Sequence, residues 1–282
     1  MEGNNFRQLI KSGRFAVGIQ ITIEDPAMIE LAAYSGFSFL VTHAVERIRD
    51  MVRAAEAAQI PLLFSMPGVD LDQNLISRVL DTGVDGIRFP LVSSRQRAED
   101  IVRAFRIPPA GDRQVWNGSR LGKYWGISME EMTRRANEAV TFIMIESKEG
   151  LEHAEEILSV PGIDAVGVGV SDLSKSLGVR RDGPEILDAI QHVIKLAKSI
   201  GVTFMKMAMT EEELGEWAKR DESLRLFYLA TDGVQIGRFF RGLIRNCNEI
   251  WIQSAKGHTE REISGTPGID MPWLTTNKTK EG

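Results

Sequence analysis

The sequence predicts an α/β protein folded as a (β/α)8 barrel. Its 282 residues suit one large barrel or two smaller domains. Short apolar runs rich in β-branched residues alternate with stretches of helical periodicity along the chain. Eight such strand–helix units are the number that closes a barrel. A doubly wound open sheet is the alternative, but the strand exit GVGVSD lacks the third glycine of a dinucleotide-binding loop.

The strands are predicted where the chain carries the continuous apolar runs of a parallel sheet buried on both faces. They are 15–21, 37–42, 60–66, 85–89, 141–145, 163–170, 203–207 and 226–229, with 234–236 as an alternative extension of the last. A helix is predicted after each strand because the apolar positions there recur at helical spacing. The predicted helices are 26–34, 45–58, 71–82, 93–105, 150–158, 184–200, 211–219 and 239–252.

Turn and cap residues separate these elements. Asp25-Pro26 opens the first predicted helix, and Gly36 follows its end. Pro90 ends the fourth strand. Ser147 is expected to cap the fifth helix, which Pro161-Gly162 stops before the sixth strand begins.

Composition and charge exclude several classes of function. A chain with 43% apolar and 26% charged residues is typical of a soluble globule, and a net charge of -5 gives no electrostatic case for nucleic acid or an anionic membrane. The single cysteine, Cys247, excludes an intramolecular disulfide and is expected to be buried in the closing helix. The sequence shows no signal peptide or membrane-spanning run, so we expect a cytoplasmic protein. Residues 1–252 should form one barrel domain, and 253–282 a loosely ordered extension.

Two carboxylates follow neighbouring strands. Glu146 ends the fifth predicted strand and Asp172 the sixth. The carboxyl ends of parallel strands meet at one face of a barrel, so these acids can face one another across a pocket. Hard divalent cations prefer such oxygen-rich sites, with water and substrate in the remaining positions. The alternative is that both acids cap helices.

Further polar residues are expected at the same face of the barrel. His43 directly follows the second strand and can move a proton near neutral pH; alternatively, it caps the next helix. Arg88 lies within the fourth strand, and an inward arginine there needs a partner or an anion. The alternative is an arginine that points outward with its head in water. The other candidates at strand ends are Gln20, 66–68, Lys206 and Asp232.

The connection 107–132 is long for a compact barrel, and such loops are usually functional. Its basic residues Arg113, Arg120 and Lys123 are candidates for facing an anionic substrate, with an ordinary surface or interface role as the alternative. We assign Arg120, together with Gln20 and Ser171, to substrate binding. The aromatic residues of this loop would pack against the substrate or a neighbouring subunit; they are Trp116, Tyr124 and Trp125.

The segments IESKEGLEHAEEIL and GIDAVGVGVSDLSKSLG resemble the HpcH/HpaI aldolase family, the metal-dependent pyruvate aldolases related to the citrate lyase β-subunit. The turn IPPAGDR is also similar to a signature turn of that family, and the resemblance covers roughly residues 15 to 245. It implies a barrel of the phosphoenolpyruvate/pyruvate type. It also implies that Glu146 and Asp172 hold Mg²⁺, or else Mn²⁺ or Co²⁺, that the metal holds a 2-oxo acid, and that His43 is the catalytic histidine. Family members assemble as dimers to hexamers by exchanging late helices, which implies a homo-oligomer here.

The chain departs from the family pattern in the substrate shell. An Asp usually precedes the histidine, but Val41 and Thr42 stand here. The third strand ordinarily ends with an arginine that binds the oxo acid, and Phe64 or Ser65 takes that position. Two further family residues are also replaced: a glutamine before the metal-binding Glu by Met144, and a tryptophan of the first strand by Gln20.

The leading hypothesis is a divalent-metal-dependent carbon–carbon lyase, an aldolase that cleaves or forms a bond through a metal-stabilised enolate of a small 2-oxo acid, with an aldehyde as a possible second partner. His43 would move the proton and Arg88 would replace the missing cation. A second hypothesis keeps the fold but changes the chemistry to decarboxylation, hydrolysis or condensation on another oxo acid or acyl-CoA. A third is a non-catalytic metal-binding or assembly protein.

Overall fold

Eight parallel strands close into a barrel in the order β1 to β8, and helices surround it. The computed structural model describes residues 5–68 and 70–254. The strands are β1 (Ala16–Ile21), β2 (Phe39–Thr42), β3 (Leu62–Ser65), β4 (Gly86–Phe89), β5 (Val140–Ile145), β6 (Ala165–Val168), β7 (Thr203–Ala208) and β8 (Leu226–Leu229). The predicted (β/α)8 class is therefore confirmed. The predicted extension, 253–282, lies outside the described residues except for 253 and 254.

The helices alternate with the strands. They are α1 (Phe6–Lys11), α2 (Pro26–Tyr34), α3 (Ile48–Ala57), α4 (Gln73–Leu80), α5 (Arg95–Phe105), α6 (Met129–Glu138), α7 (Lys148–Glu152), α8 (Ala154–Leu158), α9 (Val170–Leu177), α10 (Pro184–Ile200), α11 (Glu211–Arg220) and α12 (Asp232–Ser254). Among the helices of the described ranges, none is long and apolar enough to cross a membrane.

Side chains alternate between the barrel interior and the layer beneath the helices. On β2, Val41 packs inside the barrel with residues such as Phe142 and Met205, whereas Leu40 belongs to the core between barrel and helices. All four residues of β2, β3, β4 and β6 are buried. Two buried faces explain why these strands are recognisable as continuous apolar runs.

Cap residues set several helix starts as predicted. The Asp25 side chain accepts a hydrogen bond from the backbone N–H of Ala27, and the Ser147 side chain accepts one from that of Gly150. Helix α10 has the predicted bounds because Pro184 opens it and Gly201 ends it with φ of 87°, a left-handed conformation that favours glycine.

Several predictions of local structure are wrong. Strand β6 ends at Val168, and Asp172 lies in the first turn of α9, because the apolar run continues through Val170 into a helix that has no side-chain cap. Residues 234–236 belong to α12 and not to a strand. Helix α6 lies in a stretch predicted to be irregular. Cys247 is exposed in the single chain, not buried, as are several large apolar side chains of α12.

Helix α1 closes the amino end of the barrel. Phe6 packs its ring 5.0 Å from that of Phe39 inside the barrel. The Asp85 carboxylate accepts hydrogen bonds from the backbone N–H groups of Phe6 and Leu62, so it joins α1 to β3. The carboxyl end of the barrel therefore remains as the face at which side chains from the strands can meet a ligand.

Candidate active site

Arg88 crosses the inside of the barrel near its carboxyl end. Its guanidinium donates through Nη1 to the Tyr228 hydroxyl at 3.1 Å and through Nη2 to Gln20 Oε1 at 2.9 Å. Its Nε donates to Ser65 Oγ at 3.0 Å. In an eight-stranded barrel β8 lies opposite β4, so the guanidinium sits near the barrel axis. With only 7% of the residue exposed, the alternative of an outward arginine with its head in water is excluded.

His43 joins this cluster from the loop after β2. Its Nε2 lies 3.0 Å from Gln20 Nε2 and 3.4 Å from Arg88 Nη2. Burial lowers the pKa of His43, Arg88 lowers it further, and a hydrogen bond to the backbone of Ser65 partly offsets both effects. The imidazole is therefore neutral at pH 7. Helix α3 starts at Ile48 and has no side-chain cap, so His43 is not its capping residue.

Glu146 leaves β5 and turns toward the same space. Its Oε2 accepts a hydrogen bond from the backbone N–H of Leu91 at 2.9 Å. Burial raises the pKa of Glu146, whereas the Leu91 hydrogen bond and Arg88 lower it and Asp172 raises it. The N-cap of α7 is Ser147, so Glu146 does not cap that helix.

The bare backbone of Gly169 makes room for the Glu146 carboxylate. A Cβ atom placed on Gly169 would stand 2.0 Å from Glu146 Oε1, far closer than any real contact. A glycine at this point of the chain is therefore needed for the observed position of the carboxylate. The sequence signal for it is the GVGVSD exit of the sixth strand.

Asp172 lies one helical turn from that glycine. Its side chain is 55% exposed and accepts a hydrogen bond from Lys175 Nζ at 3.0 Å. The N-cap of α9 is Gly169, so Asp172 is not a cap either. Asp172 raises the pKa of Glu146, which places the two negative charges within electrostatic reach of each other.

The two carboxylates fit a hard divalent cation. Each offers oxygen ligands. Burial is the main cause that raises the pKa of Glu146 and Asp172 adds to it, and a cation between the two carboxylates would oppose both effects. Within residues 5–68 and 70–254, no group of three or more His, Cys, Asp or Glu side chains is placed to bind a metal. Glu146 and Asp172 would therefore be joined in the coordination shell by water and substrate oxygens, as is common for Mg²⁺.

Other predicted residues lie apart from this cluster. Arg120 donates to the backbone carbonyl of Thr82 and pairs with Glu56. Because α3 and α4 end there, before the next strands begin, this contact is at the amino end of the barrel, and the structure does not bring Arg120 to Glu146. Arg113 is also distant, fully buried and paired with Asp81 at 2.7 Å.

Lys206 and Asp232 have structural partners. Lys206 points out of the barrel, where it pairs with Glu213 at 3.0 Å and lies over the Trp217 ring. Asp232 is buried and accepts hydrogen bonds from Thr22 and from the backbone N–H of Ile23, which ties the start of α12 to the loop after β1. Ser171 is half-buried in the first turn of α9, next to Asp172.

Tyr228 is the cluster member that sequence reasoning missed. It is buried at an inward position of β8, and burial raises the pKa of its hydroxyl. Its ring also lies 5.5 Å from the Arg88 guanidinium carbon. The sequence could have indicated Tyr228, because it is the one residue with a hydroxyl in the apolar run LFYL, and a buried hydroxyl needs a hydrogen-bond partner.

Comparison with known proteins identifies the family. A family model described as HpcH/HpaI aldolase/citrate lyase matches residues 18–235. The chain belongs to this family. The resemblance found in the sequence is thus confirmed, and this HpcH/HpaI family member is an enzyme of the lyase type.

Two similar relatives are aldolases by name. A hydroxypyruvate/pyruvate aldolase of Pseudomonas aeruginosa is 32% identical over 209 residues, which cover 70% of this chain and 76% of that protein. A 2-keto-3-deoxy-L-rhamnonate aldolase of Klebsiella pneumoniae is 31% identical over 207 residues, with the same coverage of 70% and 76%. Both names denote aldolases of small keto acids.

Solved structures show the same barrel. The citrate synthase SbnG is 28% identical with a TM-score of 0.76, and the match covers 87% of this HpcH/HpaI family chain and 98% of SbnG. An HpcH/HpaI aldolase from Desulfitobacterium hafniense has a TM-score of 0.80 at 22% identity, over 87% of this chain and 97% of that chain. The second likeness concerns the fold alone.

Proposed function

We propose that this chain is a divalent-metal-dependent aldolase that breaks or forms a carbon–carbon bond next to a small 2-oxo acid. The observation that carries the proposal is the Glu146 carboxylate, seated against Gly169 and within electrostatic reach of both Asp172 and Arg88. Glu146 and Asp172 would hold the cation, with Mg²⁺ as the first candidate and Mn²⁺ or Co²⁺ as alternatives. When bound, the cation supplies Lewis-acid stabilisation of negative charge on substrate oxygen.

Arg88 supplies the fixed positive charge for the substrate. Its hydrogen-bond partners among the described residues are neutral side chains, namely Ser65, Tyr228, Gln20 and His43. None of these partners neutralises the buried guanidinium, and Glu146 acts on it through charge alone, so a substrate carboxylate, the natural ligand of a guanidinium, would stabilise it further. Arg88 therefore accounts for binding of the acid group and for charge stabilisation as the bond breaks.

Arg88 would also take the role of the arginine that the family resemblance places at the end of β3 and that this chain lacks there. Ser65 occupies the end of β3 and is the register partner of Arg88 on the adjacent strand. Arg88 reaches back to Ser65 Oγ, so the guanidinium enters the shared space from one strand further round the barrel. The site can therefore hold a positively charged side chain although β3 ends in Ser65 and not in an arginine.

His43 is the proposed proton carrier. It is neutral at pH 7 and half-buried at the barrel mouth, so it can accept a proton without first losing one. In an aldol cleavage the hydroxyl that loses its proton is on the carbon that becomes the aldehyde, and the other carbon of the breaking bond leaves as the enolate of the 2-oxo acid. His43 would take that proton and return a proton to the three-carbon fragment.

Replacement of the two acids tests the proposal. Glu146→Gln and Asp172→Asn each remove one carboxylate charge with little change of shape, so we expect each to weaken Mg²⁺ or Mn²⁺ binding in calorimetry and to abolish turnover. Asp188→Asn, on the surface helix α10, is the matched control. Unchanged metal affinity and activity in either site variant would contradict the assignment.

A second candidate is condensation in place of cleavage. SbnG, at 28% identity over most of its length, is a citrate synthase by name, and citrate synthesis forms a carbon–carbon bond. Product analysis with a panel of oxo acids, each offered with aldehydes and with acyl-CoA esters, separates the two. A new carbon–carbon bond with an acyl-CoA and no aldol cleavage would favour condensation.

We further propose a homo-oligomer, dimer to hexamer. Helix α12 exposes large apolar side chains to solvent in the single chain: Phe239 at 65%, Phe240 at 59%, Leu243 at 52%, Ile244 at 57% and Ile250 at 67%. An apolar face of this size on one helix is typical of a surface covered by another subunit. A second copy of this chain is the proposed occupant.

A further inference from the structure

The hydrogen bonds between Arg88, Gln20 and His43 have a fixed direction. A guanidinium only donates, so the Gln20 atom that faces Arg88 Nη2 at 2.9 Å must be the carbonyl oxygen. The Gln20 amide nitrogen is then the atom 3.0 Å from His43 Nε2, and it donates to that nitrogen. His43 Nε2 is therefore an acceptor.

The same direction fixes the imidazole tautomer. Since Nε2 accepts from Gln20 and also faces Arg88 Nη2 at 3.4 Å, the proton of the neutral ring must be on Nδ1. The hydrogen bond from the ring to the backbone of Ser65 is then made by Nδ1–H. Arg88, through Gln20, thus dictates which ring nitrogen is free of a proton.

Within the described part of the chain, no carboxylate hydrogen-bonds to His43. Histidines in acid–base sites commonly take their tautomer and orientation from a carboxylate on Nδ1. The residues before His43 are Val41 and Thr42, which are buried. The Ser65 carbonyl on one side and Gln20 on the other provide the same orientation without a second negative charge.

We infer that Gln20 is a positioning residue, which holds His43 as the neutral Nδ1–H tautomer and keeps Nε2 unprotonated beside Arg88. Both ends of its amide contact protein groups, so Gln20 is placed to act through His43 and Arg88. The catalytic consequence, a proton accepted at Nε2, rests on the proposed function. The tautomer itself does not.

The tautomer is tested without any substrate. In solid-state NMR of protein labelled with ¹⁵N at its four histidines, the His43 signals are assigned by their loss in His43→Asn. At pH 8 we expect wild-type His43 to show a protonated Nδ1 and an unprotonated Nε2. In Gln20→Glu the new carboxylate only accepts, so we expect a proton on Nε2. Gln114→Glu, an exposed position in the loop before α6, is the matched control and should leave the signals unchanged.

Two NMR results would overturn the inference: a protonated Nε2 in the wild type, or an unprotonated Nε2 in Gln20→Glu.

A kinetic test then separates positioning from substrate binding. Gln20→Met keeps the side-chain length but loses the amide, and we expect the rate of pyruvate methyl exchange to fall by about 10- to 100-fold, the range found for partners that orient metal-binding side chains, with KM nearly unchanged. A KM effect without a rate effect would contradict positioning. If the wild type does not exchange pyruvate, the proposed function fails while the NMR result still decides the tautomer.

Discussion

At the scale of single residues, the site is a balance between two negative and one positive side chain. Glu146 and Asp172 repel each other, and Arg88 lowers the pKa of both Glu146 and His43. The positive charge therefore favours the neutral form of His43, as burial does, and it opposes the larger effect of burial on Glu146, whose pKa is raised overall. One arginine serves two acid–base groups and leaves charge available for an anionic ligand.

Replacement of Arg88 tests this balance. In Arg88→Met the pKa of His43 should rise, because one of the two causes that lower it is removed, and turnover should fall by about 100-fold or more, as expected when a charge-stabilising donor is lost. Arg88→Lys is the matched variant: it keeps the positive charge but not the fork of donors, so the His43 pKa should stay low while turnover still falls. NMR titration of His43 and steady-state kinetics provide the readouts. A His43 pKa that does not respond to Arg88→Met would contradict the account.

The pH dependence of turnover follows from the same pKa. A proton carrier that must be neutral is active above its pKa, and both burial and Arg88 move the His43 pKa below its ordinary value. The acid limb of the pH–rate profile should therefore lie below pH about 6.5. An acid limb above that value would assign the titration to another group.

At the scale of elements, the turn from β6 into α9 shapes the proposed metal site. Gly169 follows the last residue of β6, is the N-cap of α9 and leaves space for Glu146. Gly169→Ala would place a methyl group where Oε1 lies, so we expect it to displace the carboxylate and weaken metal affinity as strongly as Glu146→Gln does. Gly215→Ala, on α11 with open space around it, is the control. Normal metal binding in Gly169→Ala would show that Glu146 is not held in this position.

The amino-terminal helix α1 gives a second test at this scale. Burial raises the pKa of Asp85 to about 6 from its ordinary 3.8, while its hydrogen bonds from the backbone of Leu62 and Phe6 lower it in part. Because the pKa of Asp85 is higher in the folded than in the unfolded state, its protonation stabilises the fold. This stabilisation is fully present below the pKa of the unfolded state and is lost as the pH rises through about 6. The free energy of unfolding should therefore be larger at pH 5 than at pH 7 by about 1 kcal/mol from this group. Asp85→Asn should remove that difference in denaturant titrations, and an undiminished difference would exclude Asp85 as its cause.

Much of the fold was predictable from sequence because parallel strands buried on both faces are uninterrupted apolar runs. The bounds of α10 and β8 were predicted residue for residue. The start of α9 was not, since an apolar Val170 gives no sign that the strand has already ended. Of the site, the positions of Glu146, His43 and Arg88 at the barrel mouth were predictable from strand ends. The contact between Arg88 and Tyr228 was not, because it joins opposite walls of the barrel across 140 positions of sequence.

At the scale of the whole molecule, helix α12 is the element that a single chain leaves uncovered. We predict that Phe240→Glu with Ile244→Glu shifts the protein to a smaller species in sedimentation velocity, because both side chains are more than half exposed in one chain and would be buried between copies. Circular dichroism should show an intact barrel. A wild-type protein that sediments as a monomer would contradict the proposed oligomer.

The central claim is that Glu146 and Asp172 hold a metal at which a 2-oxo acid forms its enolate. The most direct measurement is exchange of deuterium from solvent into the methyl group of pyruvate, followed by NMR with and without Mg²⁺ or Mn²⁺. We predict exchange that requires the metal and disappears in Glu146→Gln. Exchange that persists in Glu146→Gln, or none while calorimetry shows metal bound to the wild type, would contradict the claim.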